Sequence, residues 1–173
     1  MPNHIIPLRT QALFDLTHTL ARPRLEHTEY PWEILPDIPA IIREIGATLD
    51  PARYDHPAED VWIAKSATVA PTAYIAAPAI IGENTEVRHC AFIRGSALVG
   101  ANCVVGNSVE LKNVILFDHV QTPHYNYVGD SILGYYAHMG AGSITSNDLT
   151  IVSGGSLTAG SINVLTTWQP TAY

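Results

Sequence analysis

An aliphatic residue occupies every sixth position from Ile63 to Leu111: Ile63, Val69, Ile75, Ile81, Val87, Ile93, Val99, Val105 and Leu111. Four residues after each comes a small or β-branched residue, among them Ala67, Ala73, Ala79, Thr85, Ala91, Ala97 and Cys103. An amphipathic helix repeats near 3.6 residues and a half-buried strand near 2, so neither produces a period of six. A fixed short period marks a solenoid, and a hexapeptide period marks a parallel β-helix. Three hexads close one triangular coil, so residues eighteen apart stack, with neighbouring strands about 4.8 Å apart. The predicted interior columns are Ile63–Ile81–Val99, Val69–Val87–Val105 and Ile75–Ile93–Leu111. After Leu111 the frame slips by one residue to Leu116, Thr122 and Val128, and slips again to Leu133 and Met139. The chain is therefore expected to be mainly β, a parallel β-helix.

The repeat also divides the chain. Residues 1–60 read as a small helical appendage. Thr10 is placed to cap a short helix carrying Leu13, Phe14, Leu16 and Leu20. Ala21-Arg22-Pro23-Arg24 and Tyr30-Pro31-Trp32 read as irregular chain. A second helix is expected with Asp37 as cap, Pro39 in its first turn, Ile38, Ile41, Ile42 and Ile45 on one face, and Gly46 at its end. Residues 47–60 read as a connector. The β-helix is assigned to residues 61–147. Residues 148–173 form a divergent tail, in which Ile151 and Leu157 keep the six-residue step but Ser153-Gly154-Gly155-Ser156 does not.

Only 14% of the residues are charged, against roughly 25% in ordinary domains. Flat stacked faces, some covered in an oligomer, account for that. A net charge of −7 argues against nucleic acid or an anionic membrane as partner. No run reaches the ~20 apolar residues of a membrane span, and Met1-Pro2-Asn3-His4 lacks the layout of a signal peptide. Cys90 and Cys103 suggest no disulfide framework, and Cys103 sits at an inward position. A reduced, cytoplasmic setting is expected.

Arg94 and Lys112 each follow an interior aliphatic and lie eighteen apart, so they are expected to stand one above the other. Like charges opposed across paired strands are unfavourable. An anion between them removes that penalty, and Arg with Lys suits a phosphate; the alternative is two solvated cations. His124 is the candidate base. It lies in Asp118–Tyr127, a polar and aromatic stretch that reads as an irregular loop, close by chain length to Gly129, which the slipped frame sets above Lys112. Histidine is the usual group for proton transfer near neutral pH. Tyr127 and Asn147 could add hydrogen bonds. A zinc site built on His89, His119 and His124 is not expected, because His89 and His119 are thirty apart and fall on different faces, whereas zinc needs converging ligands. No Gly-rich nucleotide loop and no Gly-x-Ser-x-Gly elbow occurs.

Three stretches carry a resemblance: Asn107-Ser108-Val109-Glu110-Leu111-Lys112, Pro123-His124-Tyr125-Asn126-Tyr127-Val128-Gly129-Asp130, and Gly140-Ala141-Gly142-Ser143-Ile144-Thr145-Ser146-Asn147. From Arg94 to Asn147 the chain resembles, without gaps, the acetyltransferase domain of bifunctional N-acetylglucosamine-1-phosphate uridyltransferases. Residues 11–147 are also similar to short relatives labelled UDP-N-acetylglucosamine pyrophosphorylase, although the uridylyl-transferring α/β domain is not present here. The resemblance implies a left-handed β-helix that forms homotrimers, an exception to the right-handed crossover rule. It implies His124 as general base on the sugar amine, and Arg94, Lys112 and Tyr127 as ligands of a sugar 1-phosphate. Asn147 is implied to hold the reacting groups. Ala141 matches a position whose backbone lies near the acetyl donor, so acetyl-CoA is the implied co-substrate, with no tightly bound cofactor and no metal. His138 stands where the family has a sugar-contacting asparagine, and Asp148 where it has a tyrosine. In the family further coils hold acetyl-CoA between subunits, and residues 148–173 do not resemble them. The reading is an acetyltransferase acting on an amino-sugar 1-phosphate. The alternative is a catalytically incomplete trimer that binds sugar phosphates or nucleotide sugars, and the tail discriminates the two.

Overall fold

The computed structural model describes residues 8–145 and the strand residues 150–151 and 156–157. The chain is a left-handed parallel β-helix of three faces, with a small helical appendage packed on one of them. On the first face Val61–Ala64, Ala79–Ile81, Ala97–Val99, the second half of Glu110–Leu116, the second half of Tyr127–Leu133 and Thr150–Ile151 lie side by side. Thr68–Val69, Glu86–Val87, Val104–Asn107, Gln121–His124, His138–Met139 and Ser156–Leu157 make the second face. Tyr74–Ile75, Phe92–Ile93 and the first halves of Glu110–Leu116 and Tyr127–Leu133 make the third.

The aliphatic columns stack as the hexads require. Ile63 pairs with Ile81, and Ile81 with Val99. Val69, Val87 and Val105 follow one another on the second face, and Ile75, Ile93 and Leu111 on the third. Both slips of frame are real: Val99 pairs with Leu116 and Leu116 with Leu133. Each slip falls at the same place, the corner between the third and first faces. Residues with left-handed backbone mark the corners at Asn84, Cys90, Ser96, Asn102, Ser108, Asn113, His119, Tyr125, Asp130 and Tyr136. The step between them is six except from Ser108 to Asn113 and from Tyr125 to Asp130, where it is five. A sharp corner needs this conformation, which Asn and Asp tolerate better than most residues.

The stretch Asp118–Tyr127, expected as an irregular loop, is not one. Gln121–His124 is a strand in register with Val104–Asn107, and Thr122 fills the interior position of an aliphatic residue. The repeat was obscured because two polar residues, Thr122 and Asn126, take interior positions while His119 and Tyr125 take corners. The stack also continues at residues 150–151 and 156–157, which pair with Ile132–Leu133 and His138–Met139. Cys103 is buried, its thiol donates to the Phe117 carbonyl at 3.0 Å, and burial pushes its pKa up to about 12.

The appendage covers the first face. The outward residues there, Ile80, Leu98, Ile115 and Ile132, are no more than 1% exposed. They form a second apolar column outside the helix, in register with Trp62. Leu25, Ile38, Ile41 and Ile42 bury in the same core, and Phe14 packs on Phe117 with ring centroids 5.1 Å apart. A sheet covered on both sides reads as continuous apolar runs, as in Ala79-Ile80-Ile81 and Val114-Ile115-Leu116-Phe117.

Details of the appendage differ from the expectation. Thr10 is the first helical residue of Thr10–Leu13 rather than its cap, because its hydroxyl bonds to Thr28 at 2.9 Å. Leu20 is 40% exposed and lies outside the core. The stretches read as irregular carry a short helix, Arg22–Leu25, and a 3-10 helix, Pro31–Asp37. The helix Ile38–Gly46 forms as expected, though Asp37 makes no side-chain cap bond. Gly46 is required for another reason than ending the helix: a Cβ there would run into the ring of Trp62. Part of the connector, Tyr54–Ala58, pairs antiparallel with Val61–Ala64.

Candidate active site

The outward side of the third face is a small grid. One column runs Tyr74, Phe92, Glu110, Tyr127 and Ile144, each in register with the next. The neighbouring column contains Arg94, Lys112 and Gly129. Lys112 pairs with Gly129, and the Arg94 amide donates to the Leu111 carbonyl at 2.8 Å, which sets Arg94 beside Lys112 one coil below.

Gly129 leaves a gap in that second column, and Tyr127 fills it. A Cβ at residue 129 would lie 2.5 Å from the Tyr127 hydroxyl. The phenol thus lies across the glycine, which is in register with Lys112. The three groups expected to bind phosphate stand together.

The two cations stand one above the other as the spacing predicts, and each has a carboxylate partner within the chain. Arg94 Nη1 bonds to Glu110 Oε1 at 2.7 Å, and Lys112 Nζ to Asp130 Oδ2 at 2.9 Å. The like-charge penalty is relieved within the chain, so it cannot by itself demand an anion. The hydrogen bond to Glu110, with its charge, raises the Arg94 pKa, and Asp130 acts likewise on Lys112. Burial pushes the Asp130 carboxyl up, but bonds from Lys112 and Asn113 outweigh it and hold the group below its ordinary value. Glu110, whose side chain is 34% exposed, occupies Nη1 of Arg94. Sequence reading missed Glu110 and Asp130 as partners: Glu110 lies one coil above and one column over from Arg94, and Asp130 follows Gly129, the residue in register with Lys112.

His124 ends the second face, three residues before Tyr127, at the corner leading to the third. Its side chain is exposed. Asn107 lies one coil below it. The register of Gln121 with His138 sets Ala141 one coil above, and the Gly142 amide donates to the His124 carbonyl at 3.0 Å. Asn126 locks this corner. It is 2% exposed, its Oδ1 accepts from the His124 amide at 3.2 Å, and its Nδ2 donates to the carbonyls of Gly140 at 2.8 Å and Ser143 at 3.2 Å. A buried amide with every group satisfied fixes a corner more firmly than a solvated one. Asn126 was legible only as part of a motif; its burial was not.

His138 is exposed on the second face and bonds through Nδ1 to Gln121 at 3.2 Å. It stands apart from the Arg94–Lys112 column. Asn147 and Asp148 lie outside the described residues. His89 bonds Thr72 at 2.6 Å, while His119 stacks on Tyr136 at a different corner. Among the described residues no cluster of His, Cys, Asp and Glu could hold a metal ion, and no helix is long and apolar enough to cross a membrane.

Three-sided coils with a basic column beside a corner histidine define a hexapeptide-repeat protein with a candidate anion site. The chain belongs to the family described as the GMPPB C-terminal domain, which matches residues 75–165. Over 69 residues it is 36% identical to the bifunctional protein GlmU of Trichodesmium erythraeum (strain IMS101), covering 40% of this chain and 15% of that protein. Over 89 residues it is 36% identical to GlmU of Nitrosospira multiformis, covering 51% of this chain and 19% of that protein. The chain thus spans less than a fifth of the length of these curated relatives. Among solved structures it is similar to the acetyltransferase domain of PglB from Neisseria gonorrhoeae FA1090, with a TM-score of 0.41 at 17% identity over 61% of this chain and 57% of that one.

Proposed function

We propose that this protein transfers an acetyl group from acetyl-CoA to the amine of an amino-sugar 1-phosphate. The observation that carries the reading is one arrangement: Arg94, Lys112 and the Tyr127 hydroxyl form a single column, one corner away from His124 with Ala141 stacked above it. The phosphate takes the column, displacing Glu110 from Arg94. The sugar amine then faces His124, which accepts a proton from the nitrogen as that nitrogen bonds to the thioester carbonyl. Backbone N–H groups of the turn around Ala141 stabilise the oxyanion. The tetrahedral intermediate collapses with loss of the coenzyme A thiol, which leaves with a proton, and the amide is formed. Asn147 holds the reacting groups, and His138 contacts sugar.

The functional unit is a cytoplasmic homotrimer. Tyr74 and Ile144 on the third face are 63% and 65% exposed and Phe92 is 42% exposed, an apolar column of the kind that association covers. The appendage covers the first face, which leaves the second and third for contacts between copies. Subunits meeting there would bring His138 of one chain toward the column of another.

A thiol-release assay with acetyl-CoA tests the reading. Glucosamine 1-phosphate or galactosamine 1-phosphate should release coenzyme A, and unphosphorylated glucosamine should do so far more slowly. No release with either phosphate would overturn it.

A further inference from the structure

The corner between the third and first faces carries a run of polar contacts that ends at Lys112. It begins in the appendage. Asn113 Nδ2 donates to the Leu35 carbonyl, in the 3-10 helix Pro31–Asp37, at 3.2 Å. The same amide donates to Asp130 Oδ1 at 2.9 Å. The other Asp130 oxygen accepts from Lys112 Nζ at 2.9 Å. Asn113 and Asp130 are the two corner residues at which the repeat loses a residue, and their φ values of 55° and 47° are ones that Asn and Asp tolerate. The shortened corners thus lie where the edge of the appendage meets the corner between the third and first faces.

We infer that Asn113 and Asp130 are positioning residues that fix the Lys112 ammonium for its anion, and that the appendage is thereby part of the binding site. The inference rests on the reading that Lys112 binds a sugar phosphate. A lysine side chain left free must lose rotamer freedom when it meets a ligand. One already held by a carboxylate loses less, which is the benefit of preorganisation. Asp130 alone would be a swinging partner. Asn113 anchors its second oxygen, and the Leu35 carbonyl anchors Asn113 to an element packed on the strand Tyr127–Leu133.

Removing the Asp130 charge would mix two effects, loss of the anchor and gain of positive potential. Asn113→Gly avoids this. It changes no charge, suits the positive φ, and removes both amide bonds, so a loss of affinity reports position. The chain contains two lysines, Lys65 and Lys112, so lysine labelled with carbon-13 at Cε gives two assignable signals.

The experiment titrates glucosamine 1-phosphate calorimetrically into wild type, Asn113→Gly, Lys112→Met and the double variant. It also follows the Lys112 ionisation by NMR in wild type, Asn113→Gly and Asp130→Asn. Asn113→Gly should weaken binding roughly three- to tenfold, the scale of one hydrogen bond, and should cause no further loss when Lys112 is already Met. Lys112 should titrate at lower pH in both corner variants. Equal losses in the two backgrounds, or wild-type affinity with wild-type titration, would overturn the inference. Should wild type fail to bind the sugar phosphate, the site reading falls and the titration alone decides whether the corner holds Lys112. Should Asn113→Gly not fold, Asp130→Asn decides by the same titration.

Discussion

The first and third faces share one interior and differ outside. Both send aliphatic residues inward, and those from Ile81 to Leu133 are buried. On the first face the outward column of Ile80, Leu98, Ile115 and Ile132 is apolar and covered by the appendage. On the third, the outward grid alternates aromatic, acidic and basic residues and stays open. The covered face can afford no polar group without a partner, and the open one carries the cations. One repeat thus yields a scaffold on one side and a candidate site on another, according to the outward residues and what covers them.

The largest test of that contrast is truncation on each face. Ile115→Ala should cost ~2–5 kcal/mol, because a fully buried side chain leaves a cavity. Phe92→Ala should cost under ~0.5 kcal/mol in the isolated chain, as for a surface change, while weakening association. Urea unfolding and sedimentation at low protein concentration measure both. Equal losses of stability would erase the distinction between the faces.

Next is chemistry at the corner where the open face begins. His124→Ala should lower turnover by about 10²–10⁴, the usual worth of a general base. Its melting temperature should hold, since the side chain is exposed and no column uses it. A variant with wild-type turnover would remove His124 from the mechanism.

Smaller again is the loss of one charge on the open face. Arg94→Ala should weaken sugar-phosphate binding by roughly ten- to a hundredfold, as expected for a charge-assisted contact. The Glu110 exchange moderates this, so Glu110→Gln should bind the phosphate more tightly than wild type. Calorimetry that finds Arg94→Ala unchanged would return both cations to solvated surface.

The smallest effect is electrostatic. The Asp130 pKa is lowered in the folded chain from an ordinary value of 3.8. Its contribution to stability is therefore fully present above that value and is lost as pH falls through the lower, folded one. Lys112 is raised from 10.5, so its contribution is present below that value and lost as pH rises through the folded one. Both groups are partly exposed, so solvent screening limits the pair to ~0.2–1 kcal/mol. The gap in melting temperature between wild type and Asp130→Asn should be steady near neutrality and close below pH 3.8. A gap that widens in acid would contradict the pairing.

The sequence by itself determined the coil. A six-residue aliphatic period has one economical packing, three flat sides around a filled interior, and even the two slips of frame were readable at Leu116 and Leu133. It also aligned Arg94 with Lys112, because eighteen-residue stacking follows from the period, and the slip of frame set Gly129 above them. Tertiary structure decided what covers each side. Nothing in the period says that Ile80, Leu98, Ile115 and Ile132 lie beneath helices, since an outward apolar residue becomes buried only when another element arrives. It decided too that Asp118–Tyr127 is a coil and not a loop, because inward and outward positions separate only once the register is fixed. The partners of the cations were settled the same way. Glu110, Asp130 and Asn113 are ordinary polar residues along the chain. Glu110 meets Arg94 across two turns, and the corner that joins Lys112, Asn113 and Asp130 is formed by two successive turns and a carbonyl from the appendage; no local pattern encodes either meeting.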